Sequence, residues 1–144
     1  DINKAVGNVL LGRFRLGEFV RDGSFTLQSE EEIVIEQKLF LQQLHEMDSY
    51  YVNEHIVNLL LEVRGNLRTE KQEMLSTIDR FLTLPPDERL LFTVGRRLNI
   101  FFRLDDLKKP KLHQKAGESL QQILSKNPHV DFAALCNYVR QSQI

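Results

Sequence analysis

The side chains able to do chemistry are few in this chain and poorly spaced for it. The histidines are His45, His55, His113 and His129, and no two stand four apart, so no helix presents two imidazoles one turn apart to a metal ion. His45 beside Glu46 and Asp48, and His55 after Glu54, make a mixed nitrogen and oxygen site only if two helices converge. Cys136 follows Phe132 by four residues on an apolar stripe, which places a small, inert thiol in the core and not a nucleophile in an electropositive opening. Ser24, Ser49, Ser76, Ser119, Ser125 and Ser142 all lack the Gly-x-Ser-x-Gly setting of a strained nucleophile. Gly7, Gly12 and Gly17 recur every five residues, but no Lys-Ser or Lys-Thr follows to neutralise a phosphate, so they read as turn or close-packing glycines. Asp105-Asp106 lacks the further oxygen ligands of a calcium loop and reads as a solvated acidic turn. The expectation is a non-enzymatic chain with no catalytic residue, metal or cofactor.

Charge carries more information than reactivity. Glu18 to Asp48 holds eight acidic and two basic residues, whereas Arg89 to Lys115 holds eight basic and two acidic ones. Arg96, Arg97, Arg103, Lys108, Lys109, Lys111 and Lys115 would line a surface for an acidic peptide, phosphate or RNA, or else pair with the acidic half inside the fold. Phe101 and Phe102 are adjacent, about 100° apart on a helix, so both enter a core only if that helix is broadly buried. Tyr50-Tyr51 falls at a junction between helices, where a tyrosine can show an apolar ring with a polar tip to a partner.

The elements that position these residues read as helices from Glu30 onward, because apolar residues recur at three and four places and do not alternate. Ser29-Glu30-Glu31-Glu32 has the capping-box pattern and opens a helix to Met47, apolar on more than one face and therefore expected in the middle of the domain. A second helix is expected over Asn53 to Asn66, with Gly65 near its end. Thr69-Glu70-Lys71-Gln72 repeats the capping logic for a third, which stops before Pro85. Pro86 starts a fourth, whose stripe runs from Leu90 to Phe102. Asp105 to Pro110 is a charged connector, Leu112 to Leu124 marks a fifth helix ending before Asn127-Pro128, and Asp131 caps a last one. Residues 1–28 read as a helix over Asn3 to Leu11 and a loop, with an Asp22-Gly23 hairpin over 18–27 as the alternative. The fold class is all-α, a compact orthogonal or antiparallel bundle of six or seven helices.

With 144 residues, 42% hydrophobic, and a formal net charge of −1, the chain has the size of one domain and no polybasic or polyacidic tail. A single cysteine and the absence of an Asn-x-Ser/Thr acceptor point to a reducing intracellular setting, cytoplasmic or nuclear. No apolar run approaches the roughly 20 residues of a membrane span. Starting at Asp1, the chain reads as a segment of a larger protein.

The stretch Ile56-Val57-Asn58-Leu59-Leu60-Leu61, then Thr69-Glu70-Lys71-Gln72-Glu73-Met74-Leu75 to Phe81-Leu82, then Pro85-Pro86-Asp87-Glu88-Arg89-Leu90-Leu91-Phe92 resembles the harmonin-homology domain over about residues 36–98. That resemblance implies a non-catalytic adaptor that seats a partner's amphipathic helix between its own helices. It carries over no site residues. The residues themselves point to Phe101 and Phe102 as anchors for a partner protein or peptide, with Arg96, Arg97 and Arg103 as a charged rim. The alternative is an RNA- or phosphate-binding regulatory domain using segment 89–115.

Overall fold

Helix α1, Glu30–Gln43, begins where its capping box predicts: the Ser29 hydroxyl accepts from the Glu32 N–H at 3.2 Å, and the Glu32 carboxylate accepts from the Ser29 N–H at 2.7 Å. The computed structural model describes residues 28–45, 47–53, 58–129, 131 and 134–136. The expected helix over Asn3 to Leu11 and the alternative hairpin over 18–27 lie outside those residues. α1 stops short of the expected Met47. Leu44 turns to extended backbone, and the Lys71 ammonium donates to its carbonyl. Nor does α1 lie in the middle of the domain: Val34, Gln37 and Leu41 are buried, while Ile35, Leu39 and Phe40 are exposed.

The helix expected over Asn53 to Asn66 is not formed, since the described residues 58–66 are non-helical. The buried Asn58 side chain offers a competing set of bonds, donating to the Asn53 carbonyl at 2.8 Å and accepting from the Leu60 N–H at 3.2 Å. Strands β1, Tyr50–Tyr51, and β2, Gly65–Asn66, then pair antiparallel, Tyr50 opposite Asn66 and Tyr51 opposite Gly65. Leu59, Leu60, Val63 and Leu67 enter the core all the same, so the stripe marked burial without marking a helix.

Helix α2, Lys71–Leu82, ends before Pro85 as expected, but Thr69 does not cap it. Glu70 stands at the N-cap without a side-chain cap bond, and Asn66 orders the turn before it: its side-chain oxygen accepts from the N–H groups of Arg68 and Thr69 at 2.8 and 3.3 Å, and the Glu70 carboxylate accepts from the Asn66 N–H at 2.6 Å. Helix α3, Pro86–Arg97, has Pro86 in its first turn, Asp87 and Glu88 behind it, and every residue from Leu90 to Arg97 buried. A 3₁₀ helix, Leu104–Lys108, follows, and helix α4, Pro110–Lys126, packs Ala116 and Leu120 inward. Asp131 caps the helical residues 134–136, accepting from the Ala134 N–H at 2.7 Å.

The described residues are thus mostly helical, with one small two-stranded sheet among them. Five helical elements have defined bounds among the described residues, against the six or seven expected. α1 packs on α2, and α3 packs on α4. No helix among the described residues is long and apolar enough to cross a membrane.

At the centre three phenylalanines run from α2 through α3 to the turn after it: Phe81 meets Phe92 at 5.9 Å and 58°, and Phe92 stacks on Phe101 at 6.0 Å and 9°. The Phe101 ring lies over Gly95, so close that a β-carbon there would fall 2.3 Å from Phe101 Cδ2. Glycine inside a helix ordinarily weakens it, and alanine in its place strengthens it by about 0.5–1 kcal/mol. At Gly95 the sign reverses. Gly95→Ala is expected to destabilise the domain by roughly 1–3 kcal/mol through overpacking. Gly117→Ala on α4, where nothing lies within 4 Å of the new carbon, is expected to stabilise it by about 0.5–1 kcal/mol. Urea denaturation of the two variants checks both signs.

Candidate functional site

The segment from Arg96 to Lys109 gathers all five residues to which the sequence pointed, and the end of α3 decides which of them reach solvent. Asn99 takes a left-handed conformation, φ 57°. The Ile100 N–H donates to the Gly95 carbonyl at 2.8 Å and the Asn99 N–H to the Arg96 carbonyl at 3.1 Å, a complete Schellman termination. The helix therefore stops at Arg97 and does not run on to Phe102. Past the stop, Phe101 folds back onto Gly95, fully buried, while Phe102 points outward and is 52% exposed.

The backbone of that outward residue is held from behind. Buried Asp106 accepts from the Phe102 N–H at 2.8 Å and the Arg103 N–H at 2.9 Å with one oxygen, and from the Lys109 ammonium at 2.7 Å with the other. Asp105-Asp106 is accordingly not the merely solvated acidic turn expected. Burial by itself would raise the Asp106 carboxyl, but Lys109 and the two peptide N–H groups outweigh it and hold it below the ordinary carboxylate range. Glu62 braces the same turn, accepting from the Leu104 N–H at 2.6 Å and lying 3.6 Å from the Arg103 guanidinium. This places Glu62, and beside it the exposed Leu61, next to the turn that carries Phe102 and Arg103.

Phe101 is therefore core and no anchor, and two of the three expected rim arginines are internal. Arg97 makes a two-pronged ion pair with Glu30, at 3.0 and 2.7 Å, with both side chains almost wholly buried. Arg96 donates to the carbonyls of Leu59 and Asn58 at 2.9 and 3.3 Å and so ties α3 to the irregular segment after β1. Burial, and next the neighbouring Arg97, lower its pKa, partly opposed by Glu30; an arginine so shifted is still a cation at neutral pH. Both guanidiniums went inward because α3 is buried all round and each had oxygen atoms to meet there. Only Phe102 and Arg103, whose side chain is 72% exposed, remain at the surface.

The rest of the basic segment is largely paired. Arg89 bridges to Glu31 at 3.3 Å, and Lys108 shares Asp105 with Arg80 at 2.9 and 2.7 Å. These contacts, Lys108 first, lower the Asp105 pKa. Lys111 and Lys115 are exposed with no partner among the described residues. Tyr50 is exposed, while the Tyr51 hydroxyl accepts from the Gln37 side chain at 3.3 Å. His113 lies 3.3 Å from Glu88, His55 lies outside the described residues, and no group of three His, Cys, Asp or Glu is placed to hold a metal among the described residues. Cys136 is buried, beside a cleft of about 240 Å³ that Arg89 and Thr93 also line. A second cleft, about 450 Å³, has Leu84, Leu104 and Leu107 as its floor and Arg80, Lys108 and His113 at its edge. Comparison of the chain with protein-family models, curated proteins and solved structures finds no match.

Sequence reasoning missed four residues on which this site depends: Gly95, Asn99, Asp106 and, as an internal partner, Glu30. Asn99 carried a local signal, since asparagine is a known left-handed terminator; Asp106 acts within four residues on either side, Gly95 through a ring six residues on, and Glu30 alone through a distant contact.

Arg97→Met leaves the Glu30 carboxylate buried and uncompensated, and is expected to cost about 3–5 kcal/mol. Changing both Glu30 and Arg97 to Met is expected to cost less than Arg97→Met alone, a comparison that equilibrium unfolding of the two variants makes directly. Asp106, depressed in the folded state, contributes stability that is full above the ordinary carboxylate range and is lost as pH falls from that range through the lower folded value. Asp106→Asn should therefore be less stable than the parent by roughly 1–3 kcal/mol at neutral pH, and the gap should narrow as pH drops below the ordinary carboxylate range and the parent's carboxyl protonates. Thermal melts across pH test it.

Proposed function

We propose that this is a non-catalytic protein-interaction module that grips the apolar face of a partner's amphipathic helix through the turn after α3. The observation that carries this reading is Phe102, half exposed on a backbone fixed by a buried carboxylate. A large apolar ring held out to water on rigid backbone gains on burial without the entropy of ordering a loop. Leu98 and Leu61, 39% and 37% exposed, widen the apolar area, and Arg103 stands at its edge to meet a carboxylate. The adaptor role implied by the harmonin-homology resemblance agrees in class, but residues 58–61 of its leading stretch are not helical, so the reading rests on the turn and not on the family.

The RNA or phosphate reading has less support, because Arg89, Arg96, Arg97, Lys108 and Lys109 are each engaged with carboxylates or carbonyls of the protein. Selection from a displayed library of helical peptides tests the proposal. Binders are expected that lose at least about tenfold in affinity against Phe102→Asp, roughly 1.4 kcal/mol or more, and that tolerate Phe102→Leu. Both variants should keep the parental melting temperature. Binders indifferent to Phe102→Asp would overturn it, and so would a single-stranded RNA probe whose affinity is lost on Lys111→Glu and Lys115→Glu and falls steeply with salt.

A further inference from the structure

We propose that the outer face of α1 is a second docking surface, distinct from the Phe102 turn. Its occupant would be an amphipathic helix of a partner protein, basic toward its C-terminal end and antiparallel to α1. Ile35 and Leu39 stand one turn apart on that face, 40% and 52% exposed, and Phe40 beside Leu39 is 52% exposed. The apolar surface continues off the helix. Phe40 meets the Tyr51 ring at 6.2 Å and 44°. One exposed leucine needs no explanation, but a run of large apolar side chains along one helix, extended by a ring beside it, does.

Charge complementarity selects the occupant. The exposed polar residues of α1 are Glu31, Glu32, Glu36, Gln42 and Gln43, three carboxylates and no cation; Glu31 meets Arg89 at 3.3 Å, Glu32 accepts from the Ser29 N–H and Glu36 from the Gln28 amide at 2.6 Å, each through one of its two oxygens. Lys38, the helix's one basic residue, is turned to Asp79 at 2.7 Å. The carboxylates occupy the first two turns and the last turn is uncharged, so the face is acidic at its N-terminal end and apolar further along. A helix lying on it with Leu or Ile at every third and fourth place meets Ile35, Leu39 and Phe40, and its Lys or Arg residues meet Glu31, Glu32 and Glu36. Cations are themselves favoured in the last turn of a helix, which sets the partner's C-terminus over the N-terminus of α1 and opposes the two dipoles.

The test uses three synthetic amphipathic helices of about 18 residues, long enough to span α1, with identical leucine stripes. One has lysines in its last two turns, one has them in its first two turns, and one has glutamates in place of the lysines. Fluorescence anisotropy is expected to show the first binding about tenfold tighter than the glutamate peptide and tighter than the reversed peptide. Leu39→Asp should abolish that binding at unchanged melting temperature. Glu36→Lys, a milder surface change, should weaken the first peptide and strengthen the glutamate one. Phe102→Asp should leave all three unchanged, so failure here is separable from failure of the turn. Equal binding of the lysine and glutamate peptides, or indifference to Leu39→Asp, would overturn the proposal. So would self-association that Leu39→Asp abolishes, since the occupant would then be a second copy of the chain.

Discussion

Phe101 lies where α3 has no β-carbon to fend it off, and much of the molecule follows from that contact. With Gly95 beneath it, the ring settles flat against Phe92, which in turn meets Phe81 on α2, so a single aromatic row joins two helices and the turn beyond them. The chain can bring Phe101 there only by reversing sharply after Arg97, and the left-handed Asn99 makes that reversal, its own N–H and that of Ile100 meeting two carbonyls that the helix end leaves free. Asp106 then takes the N–H groups of Phe102 and Arg103, and in the turn so held Phe101 is buried while Phe102 stays half exposed.

The segregated charges of the sequence resolve on the same logic. An acidic first half and a basic second half look like two surfaces, yet Arg97 reaches Glu30 and Arg89 reaches Glu31 across the fold, so part of the segregation is an internal pairing between distant segments. The two pairs differ in kind. Arg89 and Glu31 are partly solvated, where such a pair contributes little. Arg97 and Glu30 are out of water, where the pair barely offsets its own desolvation but cannot be half removed. A buried pair of this sort specifies more than it stabilises: with two hydrogen bonds of fixed fork geometry, it admits one placement of the α1 N-terminus against the α3 C-terminus.

How far the sequence could be read follows from where each determinant lies along the chain. Ser29 with Glu32, Pro86 at the first turn of α3 and Asp131 before residues 134–136 are short-range devices, with donor and acceptor within four residues, and each formed as its pattern predicts. The apolar stripe Leu59, Leu60, Val63, Leu67 correctly marked burial and wrongly suggested a helix. Periodicity reports which residues leave water, whereas the backbone there is decided by Asn58 and by pairing with a strand some fifteen residues earlier. At the candidate site, Phe102 and Arg103 were legible as surface residues. For Phe101, Arg96 and Arg97 an internal fate was open in the sequence but could not be assigned residue by residue, because what draws them in is Gly95 seen in three dimensions, the carbonyls of a non-helical loop, and a glutamate 67 positions away.

The rigidity that results bears on how two separate surfaces would act together. Glu30 belongs to the helix whose outer face carries Ile35, Leu39 and Phe40, and Arg97 is the last helical residue before the turn that carries Leu98 and Phe102. Their ion pair is thus the joint between the two exposed apolar regions, and Asp106 fixes the far end of the turn. Because neither region must be ordered on binding, a partner touching one meets the other at a set distance and angle. A ligand that spans both then gains the second contact as an intramolecular event, at an effective concentration set by its own linker and not by any loosening of this domain.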